Sequence, residues 1–223
     1  MSQITVSISM SLDGFVAGPN QTLEHPLGEN GMLLHEWVFG LATWRAQHGL
    51  EGGAHDADDE LVAASLRSQG AVVMGRRMFS SGQGAWEDDP NAGGWWGDDP
   101  PFGIPVFVLT HHPRETLVLG STTFTFVTEG IEAAVEQARA VAAEKDISIA
   151  GGASVVQQCL RAGLVDELQI HLAPVLLGGG VRLFDGADFE QLELGEVVAS
   201  PTVTHLTFRS ADEKRERDHG GGG

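Results

Sequence analysis

Two short segments hold the residue types that bind anions. Gly75-Arg76-Arg77 follows the apolar run Ala71-Val72-Val73-Met74, and in open α/β sheets ligands bind where strands reach their carboxyl ends. Guanidinium groups at such a place can clamp a phosphate through paired N–H bonds; the alternative is a solvated arginine pair at a strand–helix junction. Gly151-Gly152-Ala153-Ser154 lies between the short apolar run Ile147 to Ala150 and a helical pattern. Its glycines let a ligand approach the backbone, and the helix start offers unpaired N–H groups to an anion. A turn that merely satisfies tight strand-to-helix geometry would read the same way. The segment is neither G-x-G-x-x-G nor a P-loop. Two anion-friendly turns after two strands nevertheless point to one extended dinucleotide site.

The other reactive types are scattered. His111-His112 follows a strand end without an acidic or Cys partner at ligand spacing and reads as surface. His171 projects from one face of a strand and His35 from a helix; neither completes a triad or metal pattern. The acid runs at 56–60, 87–89 and 98–99 lack a calcium-loop pattern and read as solvated. Trp86, Trp95 and Trp96 either wall a planar-ring pocket or pack beneath their own loop. The chain has no Tyr, which narrows the proton donors to carboxyl groups, His, Lys or water.

The elements that must position these residues follow from periodicity. Ile4, Val6 and Ile8 alternate with polar residues in a strand broken at Asp13-Gly14. Leu33, Leu34, Trp37, Val38, Leu41 and Trp44 fall at helical spacing within an irregular excursion. From Asp58, read as an N-cap, a helix runs to Gly70 and feeds the strand 71–74. Residues 80–103 are loop by their glycines and prolines, and a loop that long usually has a function. Strands follow at 105–110 and 124–126. A helix from Ile131 to Ala142, the strand 147–150, a helix through Leu160 closed by Gly163, and strands at 168–172 and 203–208 complete the chain. This order implies an α/β layered sheet, parallel in the middle and antiparallel near the end.

At 223 residues with 42% hydrophobic side chains, the chain can bury a sizeable core, and no composition break divides it. One domain over 1–210 is expected, with a disordered charged and glycine tail at 211–223. Lys and Arg number 13 against 31 Asp and Glu, a formal net charge of −18, which repels phosphate backbones and anionic membranes. Nucleic acid and membrane partners are therefore not expected. The single cysteine, Cys159, closes no intrachain disulfide. With no signal-peptide pattern or long apolar run, a cytoplasmic protein is expected.

Val-Val-Met-Gly-Arg-Arg-Met-Phe (72–79), Pro-Val-Phe-Val-Leu-Thr (105–110), Ile-Ala-Gly-Gly-Ala-Ser (149–154) and Ser-Leu-Asp-Gly-Phe-Val-Ala (11–17) together resemble the dihydrofolate reductase superfamily. The resemblance is greatest to the reductase domain of riboflavin biosynthesis and its stand-alone relatives, and it covers about residues 3–208. It implies a three-layer, mixed-sheet fold, NADPH as cofactor, a small-molecule substrate and a homodimer. Carried onto matching positions, it implies that Gly75, Arg76 and Arg77 hold the cofactor's phosphates, with Arg76 on the 2′-phosphate. Thr110 would sit beside the adenosine half. Gly151 and Gly152 would form a glycine–glycine turn, often cis, and Ala153 and Ser154 would open the helix that receives the pyrophosphate. Ala17 would border the nicotinamide.

For the substrate, the resemblance implies an acid sixteen residues before Gly75, which is Asp59, to anchor an amino-pyrimidine edge; Asp58 and Asp59 also read as helix caps facing water. Asp13 would lie by the nicotinamide as the second catalytic carboxylate, or be a turn-forming Asp-Gly. The segment Gly178 to Phe184 resembles a loop closing over substrate, where Arg182 would meet a ribose phosphate and Phe184 would line the pocket. The implied chemistry is hydride transfer from NADPH to a pterin-like or phosphoribosylamino-pyrimidine-like heterocycle, with the cofactor supplying the hard step. The alternative is a non-catalytic nucleotide-binding scaffold that keeps the fold. No metal site is expected.

Overall fold

A computed structural model describes residues 2–185 and 191–210. The strands are β1 (Ile4–Ser11), β2 (Phe15–Ala17), β3 (Gln69–Gly75), β4 (Pro105–Leu109), β5 (Leu117–Leu119), β6 (Thr122–Val127), β7 (Asp146–Gly151), β8 (Glu167–Ala173), β9 (Val181–Arg182), β10 (Leu192–Ala199) and β11 (Thr204–Ser210). The helices are α1 (Glu36–Phe39), α2 (Ala42–Gln47), α3 (Ala57–Ser68), α4 (Arg76–Ser80), α5 (Ile131–Ala142) and α6 (Ala153–Arg161). A nine-stranded sheet runs β10-β11-β8-β1-β7-β3-β4-β6-β5. Neighbours from β8 to β6 are parallel, whereas β5, β11 and β10 pair antiparallel. This is the mixed α/β sheet expected from the sequence.

Strand alternation separates two unlike faces. Ile4 and Val6 of β1, Ala71 and Val73 of β3, and Ile147 and Ile149 of β7 pack into one core with Ala134, Val135 and Ala138 of α5 and Val156 of α6. The opposite face carries Ser7, Ser9 and Ser148, small polar side chains that fill little volume and leave a hollow. On the same side, Val72, Met74, Val106, Val108, Phe79 and Phe124 form a second cluster.

The 80–103 segment is irregular apart from a 3-10 turn at Trp86–Asp88, yet it is well anchored. Trp86 and Trp96 pack edge-on or tilted against Phe79, and Trp96 also meets Phe102 and Phe124.

Several details differ from the sequence reading. The cap of α3 is Asp56, whose carboxylate accepts the amide of Asp59 at 3.0 Å; Asp58 and Asp59 turn inward and are buried. Asp89 is buried as well, so these acids are not solvated. Arg76 opens a short helix, and β2 pairs with β9, neither foreseen. The expected disordered tail lies outside the described residues.

Candidate active-site cleft

A cleft of about 1600 Å³ opens on the polar face of the sheet, and it gathers residues from all four sequence motifs. Ala17 from β2, Gly75, Arg76 and Arg77 from the β3–α4 junction, Thr110 after β4, and Gly152, Ala153 and Ser154 at the start of α6 all line it. Parallel strands bring these turns to one edge because their carboxyl ends point the same way. The Gly151–Gly152 peptide is cis; Gly151 itself is buried beneath the lining. A Cβ at Gly75 would come within 2.9 Å of Val155 Cγ2, so glycine allows β3 and α6 to approach. A Cβ at Gly152 would meet nothing within 4 Å, leaving that peptide open to a ligand.

The two arginines differ sharply. Arg76 is buried, with Nη2 donating to Asp89 Oδ2 at 2.8 Å and Nε donating to Ser80 Oγ at 3.2 Å. Its guanidinium carbon lies 3.3 Å from the centroid of Trp86, with Arg114 stacked on the same ring at 4.4 Å. Burial alone would raise the Asp89 carboxyl, but Arg76, Ser80 and the Asn91 amide outweigh it and hold it below the usual range. One nitrogen of Arg76, Nη1, is buried without a partner. Arg77 is exposed; it lines both the cleft and an adjoining hollow of about 560 Å³ shared with Ser81, Gly82 and Gln83.

Neither expected catalytic carboxylate lines the cleft. Asp13 accepts from the Ser11 hydroxyl at 2.6 Å and from the amides of Leu177 and Gly178 at 3.1 and 2.7 Å. Ser11 first, then these amides, lower its pKa to about 2, so Asp13 is a clamp on the 177–178 loop with no proton to give near neutrality. Asp59 sits between α3 and α2, where Oδ1 accepts the Thr43 amide at 2.7 Å and Oδ2 lies 3.2 Å from His55 Nδ1. Burial would raise Asp59, yet the Thr43 and His55 contacts prevail and hold it low. It ties helices together rather than facing a substrate. Arg182 also lies off the cleft, donating to the Asp13 carbonyl at 3.2 Å and stacking over Phe15. Phe184, which follows the buried Leu183 and is itself exposed, does not line the cleft either.

The cleft contains residues that the sequence reading set aside. His111 and His112, read as surface, line it, with the His112 amide donating to Thr110 Oγ1 at 3.1 Å. Phe39, Trp44, His48, Trp95 and Trp96 supply an aromatic wall, with Trp44 and His48 stacked at 3.9 Å. Of the tryptophans of the long loop, Trp95 and Trp96 border the cavity, whereas Trp86 packs beneath the loop against Phe79 and Arg76. His35 lines the cleft with Nδ1 buried and unpartnered, and burial lowers its pKa. Ser7 on the cleft floor contacts His171, which contacts His205, which contacts Asp58. Their sequence separations, up to 164 residues, concealed this line. Its available signal was the period-2 placement of Ser7 and Ser9 on one strand and of His171 on another.

The parallel-centred sheet of this α/β fold thus sets a ligand-sized cleft at its strand ends, with a glycine–glycine turn beside an arginine turn. The sequence matches the RibD C-terminal domain over residues 2–206, and the chain belongs to that family. Among solved structures it is similar to a putative riboflavin biosynthesis protein from Shewanella sp. PV-4, at 23% identity over 94% of this chain and 98% of that one, with a TM-score of 0.58. A pyrimidine reductase-like protein from Corynebacterium diphtheriae shares 15% identity over 93% and 91% of the two chains, with a TM-score of 0.52. The diaminohydroxyphosphoribosylaminopyrimidine deaminase/5-amino-6-(5-phosphoribosylamino)uracil reductase of Thermotoga maritima shares 11%, covering 94% of this chain but 57% of that one, with a TM-score of 0.51. No curated protein matches the chain. No helix of the described residues is long and apolar enough to cross a membrane.

Proposed function

We propose that the protein is an NADPH-dependent reductase that transfers hydride to a small flat heterocycle of the pterin or amino-pyrimidine class. The observation that carries this reading is the convergence of Gly75–Arg77, Thr110 and Gly152–Ser154 on one cleft with an aromatic wall. The residues fit a dinucleotide. The open Gly152 peptide and the start of α6 suit a pyrophosphate, the unpartnered Nη1 of Arg76 suits an anion, and Arg77 is the accessible cation for a 2′-phosphate. Arg76 then acts mainly as the buried anchor that shapes this turn, which reverses the order expected from the sequence. A bound nicotinamide would supply the hydride; the chain would orient both rings and supply a proton.

Family membership and the reductase-like relatives support this reading. Among the described lining residues the only Arg or Lys side chains are Arg76 and Arg77, so the aromatic half selects by ring shape. The test is a fluorescence titration with NADPH and NADH, followed by NADPH oxidation with dihydrofolate and with 5-amino-6-(5-phosphoribosylamino)uracil. The expected result is preferential NADPH binding and turnover of one ring class. Absence of NADPH binding would refute the reading. The homodimer and cytoplasmic location implied by the resemblance belong to the same proposal, and size-exclusion chromatography with light scattering tests the first.

A further inference from the structure

Ser7, His171, His205 and Asp58 form an unbroken line from the cleft floor into the protein. Ser7 Oγ is 2.8 Å from His171 Nε2, His171 Nδ1 is 2.7 Å from His205 Nδ1, and His205 Nε2 is 3.1 Å from Asp58 Oδ1. Ser7 lines the cleft, while the other three are buried. The sheet builds this line: β1 and β8 are parallel neighbours, His171 and His205 face each other across β8 and β11, and Asp58 comes from the first turn of α3. Trp37 covers both imidazoles, at 4.9 and 5.0 Å between ring centroids, and its Nε1 donates to Ser9 Oγ at 3.1 Å. The pair is thereby shielded from bulk water.

Counting hydrogens limits what the line can be. Two Nδ1 atoms facing each other need one hydrogen between them. Burial, then the nearby His205 and His35, push His171 down to about 3, so His171 is neutral and has a single ring hydrogen. With Asp58 ionised, two arrangements satisfy every contact. In the charged form His205 is an imidazolium, donating from Nε2 to the Asp58 carboxylate and from Nδ1 to His171. His171 donates from Nε2 to Ser7, and the Ser7 hydroxyl hydrogen is left to point into the cleft. In the discharged form Ser7 donates to His171 Nε2, His171 donates from Nδ1 to His205, and His205 keeps only its Nε2 hydrogen on Asp58. The two forms differ by one proton.

We infer that this line is a proton relay serving the cleft, with Ser7 as its terminal donor. The Ser7 O–H bond breaks as its proton joins the substrate atom made basic by hydride addition. The Nε2 hydrogen of His171 moves to Ser7 Oγ, and the Nδ1 hydrogen of His205 moves to His171 Nδ1. One positive charge leaves His205 and one proton reaches the substrate, so the step balances; water in the emptied cleft returns the proton by the reverse path. Two other titratable groups flank the line without joining it: His35, which lines the cleft and acts on His171 through its charge, and Asp59, which is occupied by Thr43 and His55. The identity of the acceptor rests on the reductase reading above, whereas the proton exchange within the line does not.

Histidine ring-nitrogen NMR of the full wild-type chain, titrated across the range in which it stays folded, tests the relay. The expected result is that one proton leaves the pair and that His171 changes in the same step from the Nε2–H to the Nδ1–H tautomer. A fixed His171 tautomer, or a pair that releases no proton, overturns the inference. In turnover, Ser7→Ala should retain NADPH affinity and KM while kcat falls about 10²-fold, the low end for acid–base contributions, and loses the pH dependence set by the pair. Unchanged kcat overturns Ser7 as the donor. A wild-type protein that neither binds nor oxidises NADPH would refute the reductase reading instead, and the tautomer exchange would still decide the relay.

Discussion

Arg77→Ala and Arg76→Ala should fail in different ways, because one side chain is exposed at the cleft and the other is buried under it. The Arg77 side chain has no hydrogen-bond partner among the described residues, its backbone carbonyl alone accepting the Ser81 amide, so truncation removes only what a ligand would use. A hydrogen bond to a charged group contributes about 1.5–3 kcal/mol, and each 1.4 kcal/mol is tenfold in affinity. Arg77→Ala should therefore weaken NADPH roughly ten- to hundredfold while leaving NADH and thermal stability nearly unchanged. Arg76→Ala leaves Asp89 buried with Ser80 as its remaining side-chain partner and uncovers Trp86. Breaking a buried ion pair by removing one partner costs about 3–5 kcal/mol, so this variant should lose stability first. Fluorescence titration with both cofactors, beside urea unfolding, separates the outcomes. Equal losses of NADPH and NADH in Arg77→Ala would refute the phosphate assignment; a stable Arg76→Ala with a selective NADPH defect would return the 2′-phosphate to Arg76.

Gly152→Val should fold, since the Gly152 backbone at φ −67° suits any residue and its Cβ direction is open, yet the side chain should block NADPH in the same titration. Asp13→Asn should leave NADPH binding intact but speed amide exchange at Leu177 and Gly178, whose N–H groups its carboxylate accepts; unchanged exchange would show that the clamp is unimportant. Urea midpoints should fall in two stages on acidification. His35 and His171 are lowered, so the unfolded chain takes up protons first below its ordinary histidine pKa of about 6.5. Asp13, Asp59 and Asp89 are also lowered, and the stability they provide is full above about 4 and is lost as pH falls below it. A midpoint flat from pH 7 to about 5 would contradict the histidine stage.

The legible parts of the sequence were those where a repeat meets a single environment. The alternation of Ile4, Val6 and Ile8 and the helical period of Ile131 to Ala142 each report one buried face. The glycine turns were legible because backbone at a strand end needs little else to mark it. Strands β2 and β9 were missed because two- and three-residue pairs have no period to read, and β10 because its apolar residues, Leu194 and Val197 among them, are exposed and do not alternate with polar ones throughout. The orientation of individual acids was the harder loss. Counting back from Gly75 reaches Asp59 on the correct helix, yet a helix turns its side chains through 100° per residue, and the spacing that would place Asp59 in a cleft says nothing of the Thr43 amide that captures it. Asp13 failed for the related reason that its partners, Leu177 and Gly178, are distant in sequence.

The same chain that keeps Asp13, Asp58 and Asp59 out of the cleft places neutral side chains on the floor. A carboxylate there would have to be desolvated beside a second anionic ligand, which disfavours its charged form, and the described lining arginines sit at the β3 turn. Serines on β1 and β7 tolerate burial because a hydroxyl both donates and accepts. The acidic group needed to hold an excess proton is set back instead, as Asp58 behind two imidazoles, where it can stabilise His205 without meeting the ligand's phosphates. A protein with a formal net charge of −18 thereby presents Arg77 at a cleft bordered by the carboxylate of Glu24, with Asp88 and Asp89 in the adjoining hollow rather than on the cleft floor. The sheet register that aligns His171 with His205 supplies the proton path from the interior rather than from the surface.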